Sequence, residues 1–190
     1  MEHNIAICDE NGIVIGKRDE DEAHRLGLWH QSSHVWIYTE KGNVLLQQRA
    51  LEKRVYPGLW DISAAGHVQK GESPRPTAMR ETVEELGLTL NPNRLEPAGI
   101  RKVSELLCTV GWSNNEFCHL FFYKMADGES IHIKLNQKEV AAIRFIPLKM
   151  FRTEVINKTI ASRYVPHGAY YLEIANLIEK HRSKNVSLNL

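Results

Sequence analysis

Little in this sequence is extreme, and each shortage narrows the field. Three cysteines stand among 190 residues, Cys8, Cys108 and Cys118, with no CxxC pair. An odd number at wide spacing argues against a disulfide framework or a cysteine-based zinc site. It fits a reducing compartment, so the chain is expected to be cytoplasmic. No apolar run approaches the roughly 20 residues needed to span a bilayer. The opening MEHNIAICDENG has neither the basic segment nor the apolar core of a signal peptide. No membrane partner is expected. An excess of one charge is missing too: 24 Lys and Arg face 23 Asp and Glu, a formal net charge of +1. A duplex binder exchanges a strongly basic face for condensed counterions, so no nucleic-acid partner is expected. Repeats and low-complexity stretches are absent. What remains, 43% hydrophobic and 25% charged residues, is the composition of one globular domain with a full core, expected over residues 1–190.

Local patterns point to a mixed sheet with a few helices. Ile5 to Arg18 reads as a hairpin turning at Glu10-Asn11-Gly12, followed by a polar, acidic segment from Asp19 to Glu22. A second strand pair runs from His34 to Tyr38 and from Val44 to Gln47. Pro57-Gly58 punctuates the next loop, and Leu59 to Ala65 is extended. The clearest helix is Pro74 to Leu86. Ser73 is placed to cap it, Pro74 suits its first turn, Met79, Val83 and Leu86 recur at helical spacing, and Gly87 suits its end. Further strands are expected at Glu105 to Val110, Phe117 to Met125 and Ala142 to Pro147. Helices are expected at Leu148 to Ile156 and about 169–181, with a frayed tail from Ser183 to Leu190. Strands and helices do not alternate strictly, so the fold class is α+β, an α/β/α sandwich.

The chemistry concentrates in one stretch. Gly66-His-Val-Gln-Lys-Gly-Glu72 is followed, after seven residues, by Arg80-Glu81-Thr82-Val83-Glu84-Glu85-Leu86-Gly87-Leu88. On a helix, Glu81, Glu84 and Glu85 sit at i, i+3 and i+4 and share one face, with Cβ atoms roughly 5–6 Å apart. Three carboxylates that close repel one another, and a helix gains nothing from them unless a cation is added. Mg²⁺ takes such hard oxygen ligands and completes its octahedron with water and substrate phosphate. Gly66 and Gly71 let the preceding loop turn or approach closely. Glu72 and Arg80 are placed to pair and brace the loop against the helix. An acidic helix face alone is most often just solvated. Seven fixed residue types at seven fixed positions is another matter, a chance match on the order of one in a million.

These residues carry a resemblance. The stretch resembles the signature of the Nudix hydrolases, G-x5-E-x7-R-E-U-x-E-E-x-G-U with U a bulky aliphatic, and departs from it at Thr82. The resemblance implies a mixed sheet between helices with the signature, 66–88, as a central loop–helix–loop. It implies that Glu81, Glu84 and Glu85 bind Mg²⁺, or Mn²⁺ in its place, with a further ligand from the Gly66 backbone. Glu72 and Arg80 would hold the motif together. The implied activity is metal-dependent hydrolysis of a small diphosphate compound: a nucleoside di- or triphosphate, a sugar nucleotide or an isoprenoid diphosphate. A nucleotide sensor without turnover is a further alternative, and the intact glutamates argue against it.

The similarity runs beyond the signature. His34 to Arg49, Pro57 to Asp61, Ile62 to His67 and Tyr164-Val165-Pro166 resemble the Nudix subgroup nearest to isopentenyl diphosphate isomerases. Those enzymes hold a metal with histidines and a glutamate. His24, His30 and His67 fall near their histidine positions and Glu116 on their second glutamate. Their catalytic cysteine falls at Ala65 and their first glutamate at Asn114. A methyl group moves no proton, and the isomerisation needs an acid and a base on opposite sides. Hydrolysis is therefore the leading expectation and isomerisation the alternative, with Cys118 the nearby thiol.

Other candidates are softer. Arg49 ends a strand where a planar guanidinium would suit phosphate, and Lys53 or Arg54 would serve likewise. His67 and Trp60 are candidate substrate contacts, and Trp112 and Phe117 candidate pocket walls. Glu81, Glu116 and Glu139 are the candidates for the general base. His3, His119, His132, His167 and His181 are expected to be surface or hydrogen-bonded residues. The hairpin and the C-terminal helix are candidate contacts for a homodimer.

Overall fold

Strand β3, Trp29–Thr39, is the axis of the molecule. Successive side chains along a strand point to opposite faces. Trp36 and Tyr38 accordingly enter one core, and Val35 and Ile37 the other. Strand β8, Trp112–Met125, runs parallel to β3 from Trp29 opposite Asn115 to Thr39 opposite Met125. The other edge of β3 is shared in turn by β1 (Asn4–Cys8), β6 (Ala64–His67) and β4 (Asn43–Arg49). The sheet is completed by β2 (Val14–Asp19) on β1, β5 (Trp60–Asp61) and β9 (Val140–Pro147) on β4, and β7 (Leu95–Leu107) on β8. This computed structural model describes residues 4–107, 110–126 and 132–187, with side chains through Ser183. His3, Cys108 and the last three residues of the tail fall outside them.

Helices cover both faces, which makes the fold α+β with the mixed sheet in the middle. Helix α2, Pro74–Leu86, packs Ala78 and Leu86 on Val35, Ile37 and Phe121. On the opposite face, α3 (Leu148–Ile156) and, after the short α4 (Lys158–Ala161), α5 (Tyr170–Ser187) bring Phe151, Tyr170, Ile174 and Ile178 against Trp36 and Phe122. Tyr170, Ile174 and Ile178 recur every four residues, as one buried helix face requires. The hydroxyl of Tyr170 accepts from Trp36 Nε1 at 2.9 Å and bonds His34 Nδ1 at 2.9 Å. Tyr170→Phe leaves both groups unpaired in the core. At about 1–3 kcal/mol for each orphaned group, a loss of about 2–6 kcal/mol in unfolding free energy is expected by urea denaturation. A loss under about 0.5 kcal/mol would mean that neither bond contributes.

Five local expectations are revised. The acidic segment after Arg18 is helix α1, Glu20–Leu26. Asp19 caps it by accepting from the backbone N–H of Asp21 and Glu22, and Gly27 ends it in the left-handed region. Acidic residues in a first turn suit the helix dipole. Strand β7 begins at Leu95, ten residues before the expected start. In α2, Val83 is 45% exposed and Thr82 takes the buried place, because the buried stripe runs through Ala78, Thr82 and Leu86. Ser73 holds the cap position without a side-chain bond; Thr77 instead donates to Glu72 and to the Ser73 carbonyl. The last helix continues to Ser187, past the expected end near 181 and into the tail expected to fray. The expected bounds of α2 and α3 hold as stated.

Candidate active site

Helix α2 presents its glutamates to the loop that precedes it. Arg80 is the centre of that contact. Its Nε and Nη2 donate to the two oxygens of Glu72 at 2.9 Å each, and Nη2 also reaches the His67 carbonyl at 3.2 Å. Nη1 donates to Glu81 at 2.5 Å and to Glu84 at 2.9 Å. Such a fork suits a planar guanidinium and fixes the loop geometrically. It holds the Glu72 carboxyl below its ordinary range. The Glu81 carboxylate lies against Gly66, where a Cβ would meet its carboxyl carbon at 2.0 Å. Glu85 is buried and accepts from Ala65 N–H at 3.0 Å and Gln47 Nε2 at 3.2 Å. Burial pushes Glu81 up to about 7, against the pull of Arg80. Burial and then the Glu81 charge push Glu85 up to about 8. Glu84 is the exposed member of the three.

A second cluster faces the first. His24 of α1, His30 of β3 and His67 of β6 stand with ring centroids 4.8, 4.9 and 5.2 Å apart. One donor atom from each lies within 4.8 Å of the others. His24 Nδ1 is 2.8 Å from the Glu20 carbonyl and His30 Nδ1 is 2.9 Å from the Leu28 carbonyl. A carbonyl only accepts, so these nitrogens carry the protons, and the Nε2 lone pairs are left for a cation. His30 Nε2 is buried without a hydrogen bond. Glu116 closes the group, its Oε1 3.5 Å from His30 Nε2 and 3.2 Å from His67 Nε2. His67 Nδ1 meets Glu20 at 3.3 Å. Burial opposes a charge on His67, yet its bonds to Glu116 and Glu20 raise it to about 10. The bond from His67 brings Glu20 down to about 2. Glu116 lies well below its ordinary value: burial opposes the shift, and His30 and His67 overcome it.

Glu81, Glu84 and Glu85 from the first cluster and His24, His67 and Glu116 from the second line one cleft of about 670 Å³, with His30 buried behind them. Arg49, Lys53, Arg54, Glu139 and Trp112 line it too. Arg49 is held by the Val55 carbonyl at 3.0 Å and Asp61 at 3.4 Å, and Lys53 pairs with Glu139 at 2.5 Å. Trp60 is a correction, since it is absent from the lining. Its ring packs on the α3–α5 core with the Arg144 guanidinium 4.3 Å from its centroid. Phe117 is turned away as well, packed on Trp29. Glu20, Asp61 and His167 are among the lining residues that sequence reasoning did not single out for the site. His167 Nε2 lies 3.0 Å from Asp61, which also accepts from Tyr171 at 3.3 Å. Burial alone would raise Asp61, but the His167 charge and bond and the Arg49 charge bring it to about 2. The buried-acid position beside Pro57-Gly58-Leu59-Trp60 was the available signal for Asp61. None existed for Glu20.

Known proteins resemble this chain. A family model described as the NUDIX domain matches residues 28–165. The chain belongs to the Nudix family. Nudix hydrolase 3 of Arabidopsis thaliana is 31% identical over 170 residues, 87% of this chain and 22% of that protein. Isopentenyl-diphosphate Delta-isomerase of Streptomyces coelicolor is 34% identical over 143 residues, 75% of this chain and 70% of that one. The chain thus spans about a fifth of the plant relative. A solved structure from Deinococcus radiodurans shares the fold, with a TM-score of 0.66 at 18% identity over 91% of this chain and 97% of that one. Within the Nudix signature, Thr82 departs from the usual aliphatic at a fully buried site. Its hydroxyl donates to the Ala78 carbonyl at 2.7 Å, which leaves the methyl group to pack and no polar group unpaired.

Proposed function

We propose that this protein is a divalent-metal-dependent hydrolase that breaks a phosphoanhydride or phosphate ester bond in a small, polar diphosphate compound. The observation that carries this reading is the meeting of Glu81, Glu84 and Glu85 with Gly66 in a cleft that also presents Arg49 and Lys53. The donor set fits the cation. Carboxylate oxygens, with a backbone carbonyl at Gly66, are what Mg²⁺ takes, and Mn²⁺ suits them too. When bound, the metal neutralises phosphate charge and eases deprotonation of a water. The chain's own groups do the rest. Glu72 and Arg80 keep loop and helix in register. Arg49, fixed by Asp61 and Val55, presents a preoriented guanidinium to phosphate. Glu116 is engaged on both oxygens, by His67 on one and by Asn114 on the other. That suits holding the histidine cluster; Glu81 accepts from Arg80 on Oε1 and Glu139 from Lys53 on Oε2, and the other oxygen of each is the candidate to take a proton from water.

The lining also bears on the substrate. Charged and polar groups dominate the cleft, and its aliphatic members, among them Val55, Ile62 and Val165, are scattered. A prenyl chain needs a continuous apolar wall to leave water. Nucleotides and sugar nucleotides therefore suit the cleft better than isoprenoid diphosphates. The convergence of His24, His30, His67 and Glu116 favours the isomerase alternative, because the resemblance to isomerases implies that set. Against it, Ala65 lines the cleft where their cysteine would fall, and no cysteine among the described residues lines it. The test is a phosphate-release screen with Mg²⁺ over nucleotides, sugar nucleotides and isoprenoid diphosphates, with products identified by mass. Metal-dependent release from a polar diphosphate is expected. Conversion of isopentenyl to dimethylallyl diphosphate without release would replace the hydrolase reading with the isomerase one.

A further inference from the structure

A second cavity of about 340 Å³ adjoins the cleft, lined by His34, Glu116, Cys118, Asn114 and Tyr170 among others. Strand periodicity brings the donors together. Ser32 and His34 of β3 share a face, and Glu116 and Cys118 share the matching face of parallel β8, with Ser32 opposite Cys118. One donor atom each from His34, Glu116 and Cys118 lies within 4.8 Å of the other two. Glu116 divides its oxygens: Oε1 faces His30 and His67, while Oε2 lies 3.5 Å from Cys118 Sγ and 3.2 Å from Asn114 Nδ2. Two oxygens beside this group, Ser32 Oγ and Asn114 Oδ1, are buried without hydrogen-bond partners. Ser32 is 2% exposed. Orphaned buried acceptors next to three metal-type donors are what a cation would satisfy.

We propose that His34, Glu116 and Cys118 form a metal site for a borderline cation of the Zn²⁺ type, separate from the carboxylate site on α2. Nitrogen, oxygen and sulfur donors together select zinc-like ions, whereas Mg²⁺ avoids sulfur. Binding exchanges the Cys118 thiol proton, released to solvent, for a metal–sulfur bond. At zinc–ligand bond lengths, tetrahedral donors stand about 3.3–3.8 Å apart, so closure on an ion takes shifts of about an ångström. The Tyr170 hydroxyl at 2.9 Å from His34 Nδ1 orients the imidazole from behind. Three protein donors facing a cavity leave a fourth position open.

Cobalt makes the site visible. Co²⁺ titrated into the full chain is expected to give a thiolate-to-cobalt charge-transfer band that saturates at one equivalent and is displaced by Zn²⁺. The band should persist when Cys8 and Cys108 are both replaced by serine, and disappear in Cys118→Ser. His34→Ala should weaken the apparent affinity at least about tenfold, and His24→Ala should leave the band in place. No band in the wild-type chain, a band that survives Cys118→Ser, or one lost with Cys8 and Cys108 overturns the proposal. Loss with His24→Ala overturns the assignment to His34, Glu116 and Cys118 and places the ion in the three-histidine cluster, which shares Glu116. The wild-type and Cys8/Cys108 measurements decide the matter even if Cys118→Ser fails to fold.

Discussion

Replacing Glu85 with Gln is expected to lower kcat about 10³-fold, the equivalent of about 4 kcal/mol of lost transition-state stabilisation. The amide keeps an oxygen for the Ala65 N–H but loses the negative charge that a divalent ligand set needs. The same change should leave the metal-free fold at least as stable as wild type, and the sign follows from burial. Glu85 is raised from 4.5 to about 8 in the fold. A raised acid contributes stability that is fully present below about pH 4.5 and is lost as pH rises through about 8. Above about pH 8 the wild-type chain in chelator must ionise a buried carboxyl, which Gln never does. Metal-free Glu85→Gln should therefore outlast wild type in urea at pH 9 and match it near pH 4. Full activity in Glu85→Gln and Glu84→Gln alike would remove the metal assignment. Lost activity accompanied by a less stable metal-free fold would point to a packing role instead.

Gly66→Ala is the second large effect. A Cβ at this position would stand 2.0 Å from the Glu81 carboxyl carbon and 2.2 and 2.5 Å from its oxygens. Non-bonded carbons approach no closer than about 3.5 Å without cost, so the carboxylate must leave its seat. Moving it breaks the 2.5 Å bond from Arg80, which also ties Glu72 and Glu84. A fall of about 10²-fold in kcat is expected, with a higher Mg²⁺ requirement, since displacing a catalytic group by an ångström costs about that much. Gly71 provides the contrast in the same loop. Its φ is +82° and nothing lies within 4 Å of its missing Cβ. Gly71→Ala should cost about 1–2 kcal/mol of stability through backbone strain and spare turnover. Equal activity losses in the two variants would show that the loop, rather than the Glu81 seat, is what matters.

Much of the glutamate face of α2 could be read from the chain because it is local. The bounds of α2 follow from Pro74 at one end and Gly87 at the other, and Glu81, Glu84 and Glu85 share a face by helical geometry alone. The pairing of Glu72 with Arg80 spans eight residues of one loop and helix. Where local reading failed inside α2, size and polarity misled. Val83 looked like core and Thr82 did not, yet the helix phase is set by the sheet it packs on.

The opposite wall of the cleft belongs to tertiary structure. Its members come from α1, β3, β6 and β8, and they meet because β3 pairs in parallel with β8 about 86 residues further on (Trp29 with Asn115). No local periodicity encodes that register, so sequence reasoning placed the histidines only by resemblance and missed Glu20, Asp61 and the His167 contact. Trp60 shows the converse. It immediately precedes the cleft-lining Asp61, and its ring turns to the other face, because successive strand positions point in opposite directions and only the pairing of β5 with β4 decides which way. Composition and the spacing of Gly66, Glu72, Arg80 and the three glutamates determined the family and one wall of the site. Long-range strand pairing, which buries donors that are far apart in the chain beside one another, decided the other wall and the second cavity behind it.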